Sequence, residues 1–148
     1  MNVSILLLML VGSANGCLFA LAGTKYKFLH SVGAACIVNN MQVVMKQYDS
    51  FVGVSSMGFN ENGYHMEYYF GEKRIHLTGP SLDENITFDR SCGKDDDSDA
   101  DFGCYFNDTE DCYSMCDWAF SECMRFYNQD AQRMLDNIHK SNVNVTKA

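Results

Sequence analysis

Three cysteines carry the first chemistry this chain suggests. Cys112, Cys116 and Cys123 stand in the run CYSMCDWAFSEC. At about 100° per residue, positions four and eleven further on fall within roughly 40° of the first, so on a helix the three thiols share one stripe. Zinc would suit clustered cysteines, but no histidine stands at ligand spacing from them. In an oxidising compartment such thiols form disulfides instead. Side chains one turn apart on a regular helix do not reach the roughly 3.8 Å Cβ separation of a disulfide in the right orientation, so each should pair outside the helix. The partners within reach are Cys36, Cys92 and Cys104. Three against three leaves six pairings open.

Other constellations are weaker. The run Asp95 to Asp101 has oxygen ligands at alternating positions, and Asp97, Asp99 and Asp101 imitate the opening of a calcium loop. Phe102 stands where that loop requires glycine, and Asp108 where it requires a bidentate glutamate, so the run is read as a solvated acidic loop with no metal. Gly53-Val54-Ser55-Ser56-Met57-Gly58 misses the Gly-x-Ser-x-Gly elbow by one residue and sits on a predicted strand without a following helix. The four histidines are scattered: His65 and His76 on the outer face of a predicted sheet, His30 on a predicted first helix, His139 near the end of the last. No complete catalytic motif is present, and no cofactor is implied.

The segment Cys112-Tyr113-Ser114-Met115-Cys116, with Cys123 seven residues on, resembles the Cys-Tyr-x-x-Cys-x6-Cys stretch of secreted phospholipase A2 proteins of the group XII type. That resemblance implies a catalytic His-Asp pair three and two residues before the first cysteine. Thr109 and Glu110 hold those positions here, and without the imidazole no water is activated by that route. The resemblance therefore implies a lipid-binding protein lacking catalysis.

Compartment follows from the N-terminus. Residues 1 to 22 contain no charged side chain, and Val3 to Val11 is an apolar run of signal-peptide length, short of the roughly 20 residues of a membrane span. Small residues permit cleavage after Gly16 or after Ala22. The second removes Cys17 and leaves an even six cysteines, which suits an oxidising compartment, so 1–22 is read as the leader and 23–148 as one secreted domain. Three sequons, at Asn85, Asn107 and Asn144, read as surface glycosylation sites. The formal charge of −8 is concentrated: Asp83 to Asp111 sums to −9 and the remainder to +1. That balance excludes nucleic acid and anionic membrane as partners, since both require a basic face.

The positioning elements are read from hydrophobic periodicity. From Lys25 to about Tyr48, apolar residues near helical spacing (Leu29, Val32, Cys36, Met41, Val44, Met45, Tyr48) predict an N-terminal helix. Asn62-Gly63 predicts a two-residue hairpin turn, and alternation through Tyr64, Met66, Tyr68 and Phe70, then Ile75 and Leu77, predicts a three- or four-stranded antiparallel meander with one apolar face. Pairing Phe70 with Ile75 sets Tyr68 opposite Leu77. Residues 79–108 read as an acidic loop with a short strand at Ile86-Thr87-Phe88. A long helix starts near Thr109 and carries the stripe Cys116, Phe120, Cys123, Tyr127, Ala131, Met134 and Ile138 onto the meander, with 142–148 as a flexible tail. The fold expected is α+β. The function expected is a secreted, disulfide-stapled glycoprotein that recognises an extracellular protein or cell surface without catalysis, contacting it through the meander's exposed aromatics or the acidic loop.

Overall fold

A computed structural model describes residues 17–88, 100–107 and 116–147. It corrects the expected fold class: most of the described chain is β, in two four-stranded antiparallel sheets, and there is no helix among residues 25–48. The strands are β1 (Leu18–Lys27), β2 (His30–Asn39), β3 (Gln42–Ser50), β4 (Ser56–Glu61), β5 (Tyr64–Tyr69), β6 (Arg74–Gly79), β7 (Leu82–Thr87) and β8 (Ala100–Phe106). A C-terminal helix follows as α1 (Asp117–Arg125), a π-helical stretch (Phe126–Ala131) and α2 (Gln132–Lys147). The first sheet has the order β3-β2-β1-β8, the second β4-β5-β6-β7.

The layers are helix, first sheet, second sheet. Phe19 and Leu21 of β1, with Val32, Ala34, Cys36 and Val38 of β2, face the helix residues Ala119, Cys123, Tyr127, Ala131 and Leu135. Leu18, Ala20, Ala22, Ala35 and Ile37 face the opposite way, onto Phe59, Met66, Tyr68, Ile75 and Leu77 of the second sheet. Both faces of β1 and β2 are therefore buried, and their sequences LFALAGT and VGAACIV carry no polar alternation to mark them as strands. A strand buried on both sides reads as a continuous apolar run. This is why residues 25–48 imitate a helix. On β3, an extra residue at Val44 breaks the ladder between Ile37↔Met45 and Val38↔Val43. The bulge sends Val43 to the helix side and Met45 to the second sheet.

The meander forms as β4-β5-β6, with Asn62 and Gly63 at φ 54° and 81° in its first turn. Its register differs from expectation: Tyr68 lies opposite Ile75 and Met66 opposite Leu77, because residues 70–73 all belong to the turn. A shift of two residues preserves the faces, so Met57, Phe59, Tyr64, Met66, Tyr68, Ile75 and Leu77 still point inward. What covers them is the first sheet and not the helix. The stretch 79–108 is also corrected. It contains β7 and β8, and β8 crosses to pair with β1 in the other sheet. Residues 89–99 lie outside the described residues.

The helix is shorter at its start than expected. Cys116, at φ 55°, precedes it, and the first helical residue is Asp117. Thr109 lies outside the described residues. At the other end α2 runs to Lys147, through most of the segment read as a tail. Residues 119, 123, 127, 131 and 135 are all fully buried. On an ideal α-helix each step of four residues overshoots by about 40°. The wider turn of the π-helical stretch takes up that drift and keeps the stripe on the sheet. Tyr127 is its centre: the hydroxyl donates to the Thr24 carbonyl at 2.8 Å, and the buried Lys25 ammonium lies 4.6 Å from the ring centroid. Gly23 lies under this ring, and a Cβ there would overlap both Tyr127 and Phe102.

Candidate functional site

Four groups of side chains could carry chemistry: the cysteines, the polar face of the second sheet, the cleft at one sandwich edge, and the loop end.

The cysteines bind helix to sheet. Cys36, in the middle of β2, is bonded to Cys123 of α1 with Cα atoms 5.6 Å apart. Cys116 is bonded to Cys17, which precedes β1, with Cα atoms 6.8 Å apart. Cys104 of β8 is disulfide-bonded as well, while Cys92 and Cys112 lie outside the described residues. The expected single helical stripe does not hold, since Cys116 stands before the helix. Sequence reasoning missed Cys17 because it lay within the assumed leader. Two ion pairs reinforce the same join. Lys27 Nζ lies 2.9 Å from Asp136, and Lys46 Nζ 3.2 Å from Glu122. Hydrogen bonds from Arg125 and then Lys46 hold the Glu122 carboxyl below its usual range, and Lys27 does the same for Asp136.

The outer face of the second sheet holds both meander histidines. His65 Nε2 is 3.2 Å from Glu67 Oε2, and its Nδ1 is 2.7 Å from Asn60 Oδ1. Ser56 Oγ donates to the other Glu67 oxygen at 3.0 Å. His76 Nε2 is 2.7 Å from Asp83. A serine nucleophile needs an imidazole between itself and the carboxylate. Here the carboxylate is in the middle, so Ser56 meets Glu67 and not an imidazole. Among the described residues no group of three or more His, Cys, Asp or Glu is placed to hold a metal ion. Arg74 covers the Tyr69 ring at 4.0 Å, pairs with Glu72 at 2.8 Å and donates to Asn85 at 2.9 Å. The meander's aromatics are thus not an exposed patch: Tyr64 and Tyr68 are interior, and Tyr69 lies under a guanidinium.

Of the calcium-loop residues, Asp97, Asp99 and Asp108 lie outside the described residues. Asp101 lies in β8 and pairs with Lys73 at 3.4 Å, and Phe102 is buried against Tyr127. Of the sequons, Asn85 is exposed on β7. Asn107 is exposed just after β8, where its Oδ1 accepts from the Leu18 N–H at 3.0 Å. Asn144 lies in α2. The segment that resembles phospholipase A2 is divided: Thr109, Glu110 and Cys112 are outside the described residues, and Cys116 and Cys123 fall on either side of the helix start.

The third group lines a cleft of about 410 Å³ between the edges of β3 and β4, bordered by Lys46, Gln47, Asp49, Gly58 and Glu61. It is open and polar. Glu61 accepts from the Lys46 N–H at 2.9 Å and Gln47 donates to the Asn60 carbonyl at 2.8 Å, which joins the two sheets, while the Lys46 ammonium pairs with Glu122 and Asp49 accepts from the Ser50 N–H.

The loop end differs from all of these. The β1–β2 turn, the β3–β4 loop and the β5–β6 turn meet there: the Phe51 N–H donates to the Ser31 carbonyl, Phe51 stacks on Phe70 at 4.3 Å, and Tyr26 meets Phe51 edge-on at 6.2 Å. From this end Phe28 and Leu29 protrude 82% and 90% exposed, and Val52 83%. Sequence reasoning placed Leu29 on a buried helix face and so missed the patch. The signal that was available was the stretch Lys25-Tyr26-Lys27-Phe28-Leu29-His30, a polar interruption between two apolar runs. Compared with protein-family models, curated proteins and solved structures, the chain matches none of them.

Proposed function

We propose that the chain is a secreted, disulfide-stapled glycoprotein that acts by extracellular recognition and not by catalysis, with the loop end as its contact region. One observation carries the reading: among the described residues, the three most exposed large apolar side chains, Phe28, Leu29 and Val52, gather at one end of the sandwich, while Ser56 with Glu67, His76 with Asp83 and Lys46 with Glu61 are engaged with one another. Exposed apolar clusters on a stable scaffold mark interaction sites.

Secretion is supported by two disulfides, bonds that persist in oxidising compartments. The position of β1 revises the leader. Ala22 is buried in the middle of β1, paired with Ala35. Cleavage there would remove half of a central strand, whereas cleavage after Gly16 leaves Cys17 and β1 intact. We therefore place the leader at residues 1–16. Exposed Asn85 and Asn107 support glycosylation at those sequons. No described helix is long and apolar enough to cross a membrane.

Expressed in a secretory cell, the protein should appear in the medium and lose mass on N-glycosidase treatment. It should bind intact cells, and that binding should be lost when the loop end is masked by a large maleimide conjugate at an introduced Val52→Cys. Retention in the cytosol without glycan would end this reading.

A further inference from the structure

We propose that the loop end docks on a zwitterionic phospholipid surface, with Phe28, Leu29, Val52 and Val54 entering the boundary between headgroups and acyl chains. The inference rests on the reading of the chain as an extracellular recognition protein and names the chemistry of what it recognises.

The first support is a conflict between residue type and backbone. The turns β1–β2, β2–β3 and β4–β5 each have two residues, and in each the first has positive φ: Phe28 at 58°, Asn40 at 51° and Asn62 at 54°. Asn and Gly are the residues that tolerate this region. Two of the three turns use Asn. The third places a bulky aromatic there, which stacks on His139 at 5.1 Å yet stays 82% exposed, so backbone preference opposes it and packing accounts for little of its surface. A local rule broken for so little burial points to function.

The second support is shape. Phe28 and Leu29 sit at a hairpin tip, and Val52 and Val54 project from the adjoining loop around Gly53, itself at φ 67°. These are convex apolar points, not a groove or a flat face. A protein partner must supply a matching cavity, whereas a bilayer boundary accepts projecting side chains without one. Tyr26, 37% exposed and one strand position below the tip, stands where amphipathic rings settle at a membrane interface.

The third support is charge. Among the described residues, ion pairs around this end join Lys27 with Asp136 at 2.9 Å, Lys73 with Asp101 at 3.4 Å, and Arg74 with Glu72 at 2.8 Å, and exposed Asp49 at the end of β3 adds a negative charge. Paired charges of both signs complement a headgroup layer that also carries both signs. The chain's net charge of −8 opposes an anionic bilayer. The surface is therefore zwitterionic, and attachment is driven by apolar insertion.

The test uses the secreted, glycosylated protein in sedimentation with phosphatidylcholine vesicles and with vesicles containing phosphatidylserine. The wild type should bind phosphatidylcholine, with less than about a twofold change between low and high salt. Phe28→Asn is the discriminating variant. It gives the turn the residue its φ prefers, which offsets the lost stack on His139, so the melting temperature should stay within about 3 °C of wild type, while vesicle binding should fall at least about tenfold. Leu29→Asp should do the same to binding. Equal binding by Phe28→Asn, or binding only to phosphatidylserine vesicles that salt abolishes, overturns the proposal. If the protein binds cells but not phosphatidylcholine, and protease treatment of the cells abolishes that binding, the partner is a protein. The lipid proposal then falls while the recognition reading stands. Binding to neither cells nor vesicles sinks both.

Discussion

Replacing Cys36 and Cys123 together by alanine is expected to lower the thermal midpoint by on the order of 15 °C. The bridge joins residues 87 apart, but with Cys17 and Cys116 already joined the added loop is about 26 residues, which on the chain-entropy model contributes about 3–4 kcal/mol by restricting the unfolded chain. That is a large share of the 5–15 kcal/mol typical of whole domains. Both cysteines are fully buried where the helix crosses β2. The loss should therefore appear first as helix release, seen as lost protection of amides 117–135 in hydrogen exchange. A melting temperature within a few degrees of wild type would mean that Cys36 and Cys123 do not pin the helix.

Leu21→Ala and Ile37→Ala are each expected to cost about 2–5 kcal/mol, although their side chains point to opposite faces of one sheet. Leu21 packs toward Tyr127 and Leu135 on the helix, and Ile37 packs toward the second sheet with Met66 and Tyr68. Both are 0% exposed. A sheet with one wet face would tolerate one of these changes within about 0.5 kcal/mol. Denaturant titration of the two variants checks this, and a near-neutral result for either would remove a layer from the architecture.

The same two-sided burial explains what the sequence could and could not reveal. The second sheet was legible in part because its strands have one inner and one outer face. Tyr64, Met66 and Tyr68 alternate with His65, Glu67 and Tyr69, and Asn62-Gly63 marks the turn. The middle layer lacks that alternation, so residues 25–48 imitate a helix. An even count of six cysteines favours a leader that includes Cys17, whereas in the structure Cys17 is the partner of Cys116. The helix stripe was legible through Cys123, Tyr127, Ala131, Met134 and Ile138, all of which lie in or against the helix-side core. Its surface of attachment was not, since a stripe records burial and not what buries it. The loop end is masked for a related reason: Leu29 is apolar and fits a helical period, which hides the polar interruption Lys25 to His30 that marks the turn where it lies 90% exposed.

We propose that the mature protein begins at Cys17, which keeps β1 as an interior strand tied at its start to the helix. Non-reducing peptide mapping of the secreted protein, with its N-terminus determined in the same digest, should give a chain beginning at Cys17 and a linked peptide pair containing Cys17 and Cys116. A mature chain beginning at Gly23, with Cys116 bonded elsewhere, would contradict it.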